Sequence, residues 1–285
     1  MTLATIRYQL AVPAASAILG VRRSLRSIAG RKGRTPDFII AGAQKAATTS
    51  LYNFMLQHPR VGPALTKEVH FFDNNFHRGE KWYRLNFPDR TPPGCDVTGE
   101  ASPYYLVHPL VPARIREICP EVRIIVLLRD PVARAISHYQ HEYRRGFERQ
   151  SLTRALEMES SRLDGEFERM VDDPTYRSYA FEHYSYVTRG RYADQLRRWL
   201  DEFPREQILI LESERLGQDT ESVLDRVGKF LELDHWSPSV QVRHNRGRYE
   251  APPSRIESQL RETFAGPNRD LVALLGQEFS WVRNT

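Results

Sequence analysis

The chain is nearly without cysteine. Cys95 and Cys119 are the only two in 285 residues, too few for a disulfide scaffold, and no C-x-x-C pair is there to begin a zinc framework. Two free thiols in a reducing compartment are expected, and with them a cytoplasmic location. No stretch approaches the ~20 apolar residues that a membrane-spanning helix needs. Internal repeats and low-complexity tracts are missing too, which removes solenoids and linker-rich chains. Acids are missing from residues 1–36, where Arg7, Arg22, Arg23, Arg26, Arg31, Lys32 and Arg34 contribute +7. The whole chain carries +5, so the other 249 residues sum to −2. Basicity is a property of the tail, and no nucleic-acid-binding fold is implied. The tail also holds an apolar run over residues 10–21, interrupted by Pro13. A disordered extension is the favoured reading of residues 1–36; a basic segment resting peripherally on an anionic membrane surface is the other.

What is present belongs to a globular protein: 40% hydrophobic and 27% charged residues exclude disordered and fibrous classes. The folded part is expected over residues 37–285. Residues 38–42 form a short apolar run that reads as a buried parallel strand, followed by a loop of small polar residues and a helix from Ser50 that stops at His58-Pro59. Residues 123–128 (Arg-Ile-Ile-Val-Leu-Leu) are the clearest buried strand. They run into Asp130, a helix cap, and Pro131, suited to a first helical turn, with the helix continuing towards Gly146. An amphipathic helix over 190–203 precedes a third strand at 207–211. Residues 146–178 are charged and poor in large apolar side chains, and read as surface helices or an inserted lid. Strands alternating with helices predict an α/β fold with a central parallel sheet between helical layers.

Four segments carry candidate chemistry. In Gln44-Lys45-Ala46-Ala47-Thr48-Thr49-Ser50, small residues let the backbone approach an anion, a lysine supplies charge, and the helix that follows presents free N–H groups. A Walker A loop is excluded, since no second glycine precedes the lysine. Arg129 ends a buried strand, where ligands of parallel sheets gather, and Ser137 lies about two turns into the next helix. In Lys67-Glu68-Val69-His70-Phe71-Phe72-Asp73, an extended backbone would put Glu68 and His70 on one face as a general-base pair. Arg246-Gly247-Arg248 is a basic turn able to fold over a phosphate. Each alone is matched by a structural explanation: an exposed lysine, an arginine paired with an acid, a solvated glutamate, a basic surface loop.

Together, in this order and spacing, the four segments resemble the sulfotransferases that use 3′-phosphoadenosine 5′-phosphosulfate (PAPS), in the glycan-sulfating branch typified by the heparan sulfate enzymes. The resemblance covers roughly residues 37–283. It implies a P-loop-like three-layer fold, with residues 44–50 as the 5′-phosphosulfate loop and Lys45 on the bridging oxygen. It further implies Glu68 as catalytic base with His70 assisting, Arg129 and Ser137 on the 3′-phosphate, and Arg246–Arg248 covering the donor. No metal is called for, and the acceptor is expected to be a glycan, a glycolipid or a hydroxylated small molecule. The chain departs from that branch at Ala101, where the branch has lysine, in Ala46-Ala47 in place of glycines, and in lacking a late cysteine pair. A P-loop kinase and a non-catalytic nucleotide- or anionic-glycan-binding protein of the same fold are the rival readings.

Overall fold

A computed structural model of the chain describes residues 17–88, 95–239 and 253–282. Its centre is a five-stranded sheet of β1 (Phe38–Gly42), β2 (Val61–Pro63), β3 (Val97–Ala101), β4 (Arg123–Leu128) and β5 (Ile208–Glu212). The spatial order is β2-β3-β1-β4-β5, every neighbouring pair is parallel, and helices flank the sheet. Such a sheet buries both faces, so its central strands are apolar throughout: Ile39 stands opposite Ile124, Ile40 opposite Ile125, and Ile125 opposite Leu209. All five residues of β3 are buried although they read Val-Thr-Gly-Glu-Ala. No apolar run announces that strand, because its polar side chains are satisfied inside; Thr98 Oγ1 donates to the Gly62 carbonyl at 2.9 Å.

After β1 the chain moves to one side to build β3 and β2, then returns to the other for β4 and β5. The order reverses between β1 and β4, where ligands of parallel sheets bind. From the ends of those strands run α2 (Thr48–Met55) and α5 (Pro131–Arg145), with α3 (Gly79–Arg84) and α4 (Val111–Ile118) between them in the chain. The Asp130 carboxylate accepts from Val132 N at 3.0 Å, Pro131 opens α5, and Gly146 closes it at φ 78°, as the sequence predicts.

The charged stretch after α5 forms two surface helices, α6 (Leu152–Leu163) and α7 (Glu166–Asp172), ahead of α8 (Tyr179–Tyr184). The amphipathic helix is α9 (Tyr192–Glu202), whose fully buried Trp199 donates to the Leu106 carbonyl at 3.1 Å. After β5 come α10 (Ser213–Gln218) and α11 (Thr220–Leu231), and a single helix, α12 (Ser254–Leu275), brings Phe264 and Leu271 into the core against α9 and α5.

The amino-terminal boundary differs from the sequence reading. Within the segment 1–36, residues 17–28 form a helix (α1) and residues 1–16 lie outside the described residues; contacts to the domain begin before residue 37. Gly33, at φ 63°, packs where a Cβ would overlap the Arg84 carbonyl, and Arg34 pairs with Asp37 and donates to Asp96 O at 2.9 Å. Cys95 and Cys119 are both free. No helix among the described residues is long and apolar enough to cross a membrane.

Candidate active site

The loop between β1 and α2 is held in a strained shape. Lys45 (φ 72°) and Ala47 (φ 63°) are both in the left-handed region, which costs a non-glycine residue on the order of 1–2 kcal/mol each. Two arginines hold the loop from behind. Arg129 Nη1, at the end of β4, donates to the Lys45 carbonyl at 2.9 Å, and Arg189 Nη1 donates to Gln44 Oε1 at 2.7 Å. Arg189 is fully enclosed, also donating to Phe181 O and Glu182 O at 2.6 and 3.0 Å and lying 4.7 Å from the Tyr104 ring. Of the three loop hydroxyls, Thr48 and Ser50 are buried, and only Thr49 is exposed.

Burial lowers Lys45 to about 8, with the charges of Arg144, Arg129 and Arg145 adding to it and Glu142 opposing. The ammonium has no hydrogen-bond or ion-pair partner among the described residues, so its charge is met only from a distance. A half-buried cation without such a partner, just before a helix N-terminus, suits an anion. Behind it, Ser137 is buried on α5, one helical turn before His141. Arg246, Gly247 and Arg248 lie outside the described residues.

The second half of the site is a turn, not a strand. Residues 66–73 carry no sheet pairing, and His70 takes φ 51°. The expected contact between Glu68 and His70 does form, with His70 Nε2 3.2 Å from Glu68 Oε2, but by this left-handed turn and not by strand alternation. Phe72, two residues further on, is fully buried. The turn also brings in Asp73, which the sequence reading did not single out: its enclosed carboxylate stands 2.6 Å from His70 Nδ1. Lys67 completes the line. Its Nζ lies 2.5 Å from Glu68 Oε1 and donates to Thr49 Oγ1 at 2.9 Å, so it joins the anion loop to the candidate base. Ala101, where the glycan-sulfating branch has lysine, holds this residue by its backbone, donating from its amide to the Lys67 carbonyl at 2.9 Å. Thr49, Lys67, Glu68, His70 and Asp73 thus form one connected strip.

Charges along the strip alternate. Burial alone would raise Glu68, but His70 and Lys67 outweigh it and bring the carboxyl to about 2. Burial alone would lower His70, but Asp73 and Glu68 on its two nitrogens outweigh it and push the ring well above its ordinary value. The resting site therefore holds an ammonium, a carboxylate, an imidazolium and a second carboxylate in sequence.

Beneath this turn lies Glu100 of β3, fully buried and given no role by the sequence reading. It accepts from Ser102 Oγ at 2.6 Å, Tyr83 Oη at 2.8 Å and Val69 N at 3.2 Å, while Ser102 Oγ accepts from His70 N at 3.2 Å. Burial is the largest influence and raises Glu100 to about 7, against the lowering by Ser102, Tyr83 and Val69. A carboxyl raised on folding binds its proton more tightly in the native state, so its stabilisation is full below the unfolded value near 4.5 and is lost as pH rises through about 7. Wild type should therefore lose thermal stability relative to Glu100→Gln between pH 5 and pH 8. A stability difference that stays flat across this range would show that Glu100 does not titrate there.

A parallel sheet with a lysine-bearing loop at its switch point, and a carboxylate–imidazole–carboxylate line beside it, defines an α/β protein whose site suits an anionic ligand. The chain belongs to the sulfotransferase family: residues 35–247 match the Sulfotransferase domain. It is 31% identical to human heparan sulfate glucosamine 3-O-sulfotransferase 6, covering 90% of this chain and 76% of that one. It is 34% identical to human bifunctional heparan sulfate N-deacetylase/N-sulfotransferase 3, covering 72% of this chain but 23% of that one. Among solved structures, a sulfotransferase from Alicyclobacillus acidocaldarius superposes with a TM-score of 0.69 at 30% identity, covering 88% of this chain and 99% of the other. The protein is a sulfotransferase, and the P-loop kinase reading finds no support.

Proposed function

We propose that the protein transfers a sulfuryl group from PAPS to a hydroxyl or amine of a carbohydrate acceptor, either a free glycan or a glycolipid. The observation that carries this reading is the strip itself. It joins the loop that carries Lys45, a cation for the leaving phosphate, to Glu68, a base for the attacking group, through the contacts of Lys67 with Thr49 and Glu68. The names of the relatives, which describe heparan sulfate enzymes, support a sugar acceptor.

The donor supplies an activated sulfuryl group. As in phosphoryl transfer, a loose transition state leaves the protein to position the reactants and stabilise charge. Lys45 meets the negative charge that grows on the leaving oxygen. Glu68 accepts the acceptor proton, and His70, fixed by Asp73, holds the carboxylate in line. A carboxyl at about 2 is a weak base, and Lys67 is the chief charge beside it that can shift. When Lys67 turns towards an anion seated at Thr49, Glu68 becomes more basic at the moment it is needed.

Radiolabelled PAPS, offered with glucosamine-containing polysaccharide, glycolipid and non-sugar alcohols in parallel, tests the assignment. Label should pass to a sugar-bearing fraction; exclusive transfer to the non-sugar alcohols would overturn the acceptor class.

Arg129 separates two roles. If it binds the 3′-phosphate, Arg129→Ala should weaken adenosine 3′,5′-bisphosphate binding by more than ~10-fold. The loss for adenosine 5′-phosphosulfate, which lacks that phosphate, should be much smaller. Equal losses for both nucleotides would mean that Arg129 acts only by holding the Lys45 carbonyl.

A further inference from the structure

Helix α1 is mounted with two of its arginines, Arg23 and Arg26, inward. Arg23 Nη1 donates to Asn86 Oδ1 at 2.8 Å, and its guanidinium lies 4.4 Å from the Trp82 ring. Arg26 Nη1, nearly one turn later, donates to the carbonyls of Leu85 and Phe87 at 2.9 and 3.3 Å. On the opposite side Ile18, Val21, Leu25 and Ile28 follow one another at helical spacing and are 57–82% exposed. They are four of the seven large hydrophobic side chains exposed among the described residues. A surface helix of a globular protein ordinarily turns such a stripe towards the core.

Charge indicates what covers it. Arg22 beside the stripe on the helix, and Arg31 and Lys32 just past its end, are exposed, and residues 1–36 contain no acid. A second copy packed helix to helix would set these cations against themselves, which is unfavourable. An apolar stripe flanked by cations fits the interface of an anionic bilayer, where aliphatic side chains enter the acyl boundary and long basic ones reach the headgroups.

We infer that α1 seats the protein on an anionic membrane surface, with Ile18, Val21, Leu25 and Ile28 inserted and Arg22, Arg31 and Lys32 on lipid headgroups. The helix is tied closely to the reaction centre. Trp82 under Arg23 also lies 5.4 Å from the Arg78 guanidinium, Arg78 Nε donates to Asn75 Oδ1 at 3.0 Å, and Asn75 Nδ2 donates to His70 O at 2.7 Å.

The full chain is sedimented with phosphatidylcholine vesicles with and without phosphatidylserine. Wild type should bind the phosphatidylserine vesicles, less so as salt is raised. The I18Q/V21Q/L25Q/I28Q variant should bind at least ~10-fold more weakly, since the inserted apolar area is gone. The R22Q/R31Q/K32Q variant should lose the preference for phosphatidylserine. Binding of adenosine 3′,5′-bisphosphate checks that each variant is folded. The inference fails if wild type ignores the vesicles, or if the apolar variant binds them as wild type does. It also fails if the stripe instead supports a dimer that I18Q/V21Q/L25Q/I28Q dissolves.

Discussion

Lys45→Ala should lower turnover by ~10²–10³, the usual cost of losing one donor preorganised for transition-state charge. The structure adds a second expectation. The ammonium is half-buried, has no partner among the described residues and is lowered to about 8 by that burial, so removing it takes away a cost of folding. The variant should therefore melt no lower than wild type while being nearly inactive. Single-turnover transfer and a thermal melt on the same preparation decide the matter. Activity within a few-fold of wild type would sink the assignment, and a collapsed melting temperature would show that Lys45 supports the fold instead.

Glu68→Gln should leave adenosine 3′,5′-bisphosphate binding near normal and reduce turnover ~10²–10⁴-fold, the range for losing a general base. The glutamine keeps the side chain's shape and one hydrogen-bonding oxygen, but cannot take the acceptor proton. His70→Ala should cost less. With Asp73 on one nitrogen and Glu68 on the other, both carboxylates raise His70 well above its ordinary value and both ring nitrogens are engaged, which disfavours it as the base. Its work is to hold Glu68, which water can partly take over. Both variants are compared at saturating PAPS. If His70→Ala is the more damaging and Glu68→Gln is mild, the histidine is the base and the roles reverse.

The Glu68–His70 pair shows how a sequence argument reaches a correct neighbour by the wrong geometry. Alternation along a strand and a left-handed turn both bring residues two apart together, so the contact was legible while its backbone was not. The turn mattered more than the contact, because His70 at φ 51° is what swings Asp73 onto the far ring nitrogen. Glu100 was hidden for a different reason. A polar residue in a short Val-Thr-Gly-Glu-Ala stretch looks like loop, and its burial depends on tyrosines at 83 and 105 and a serine at 102 that fold around it. Arg189 lies 145 residues from the Gln44 it holds, a separation no local pattern spans.

By itself the sequence determined the alternation of strand and helix, the lysine loop after the first strand, the cap and proline that open α5, and the spacing of motifs that marks a sulfotransferase. These are local properties: hydrophobic period, turn chemistry and helix capping act over a few residues and can be read along the chain. Only the tertiary structure decided which polar groups meet. The link from Thr49 through Lys67 to Glu68, the burial that raises Glu100, and the inward seating of Arg23 and Arg26 on α1 depend on contacts across the chain. A charge in a folded site takes its strength and its pKa from neighbours that topology brings together, and those neighbours are not adjacent in sequence.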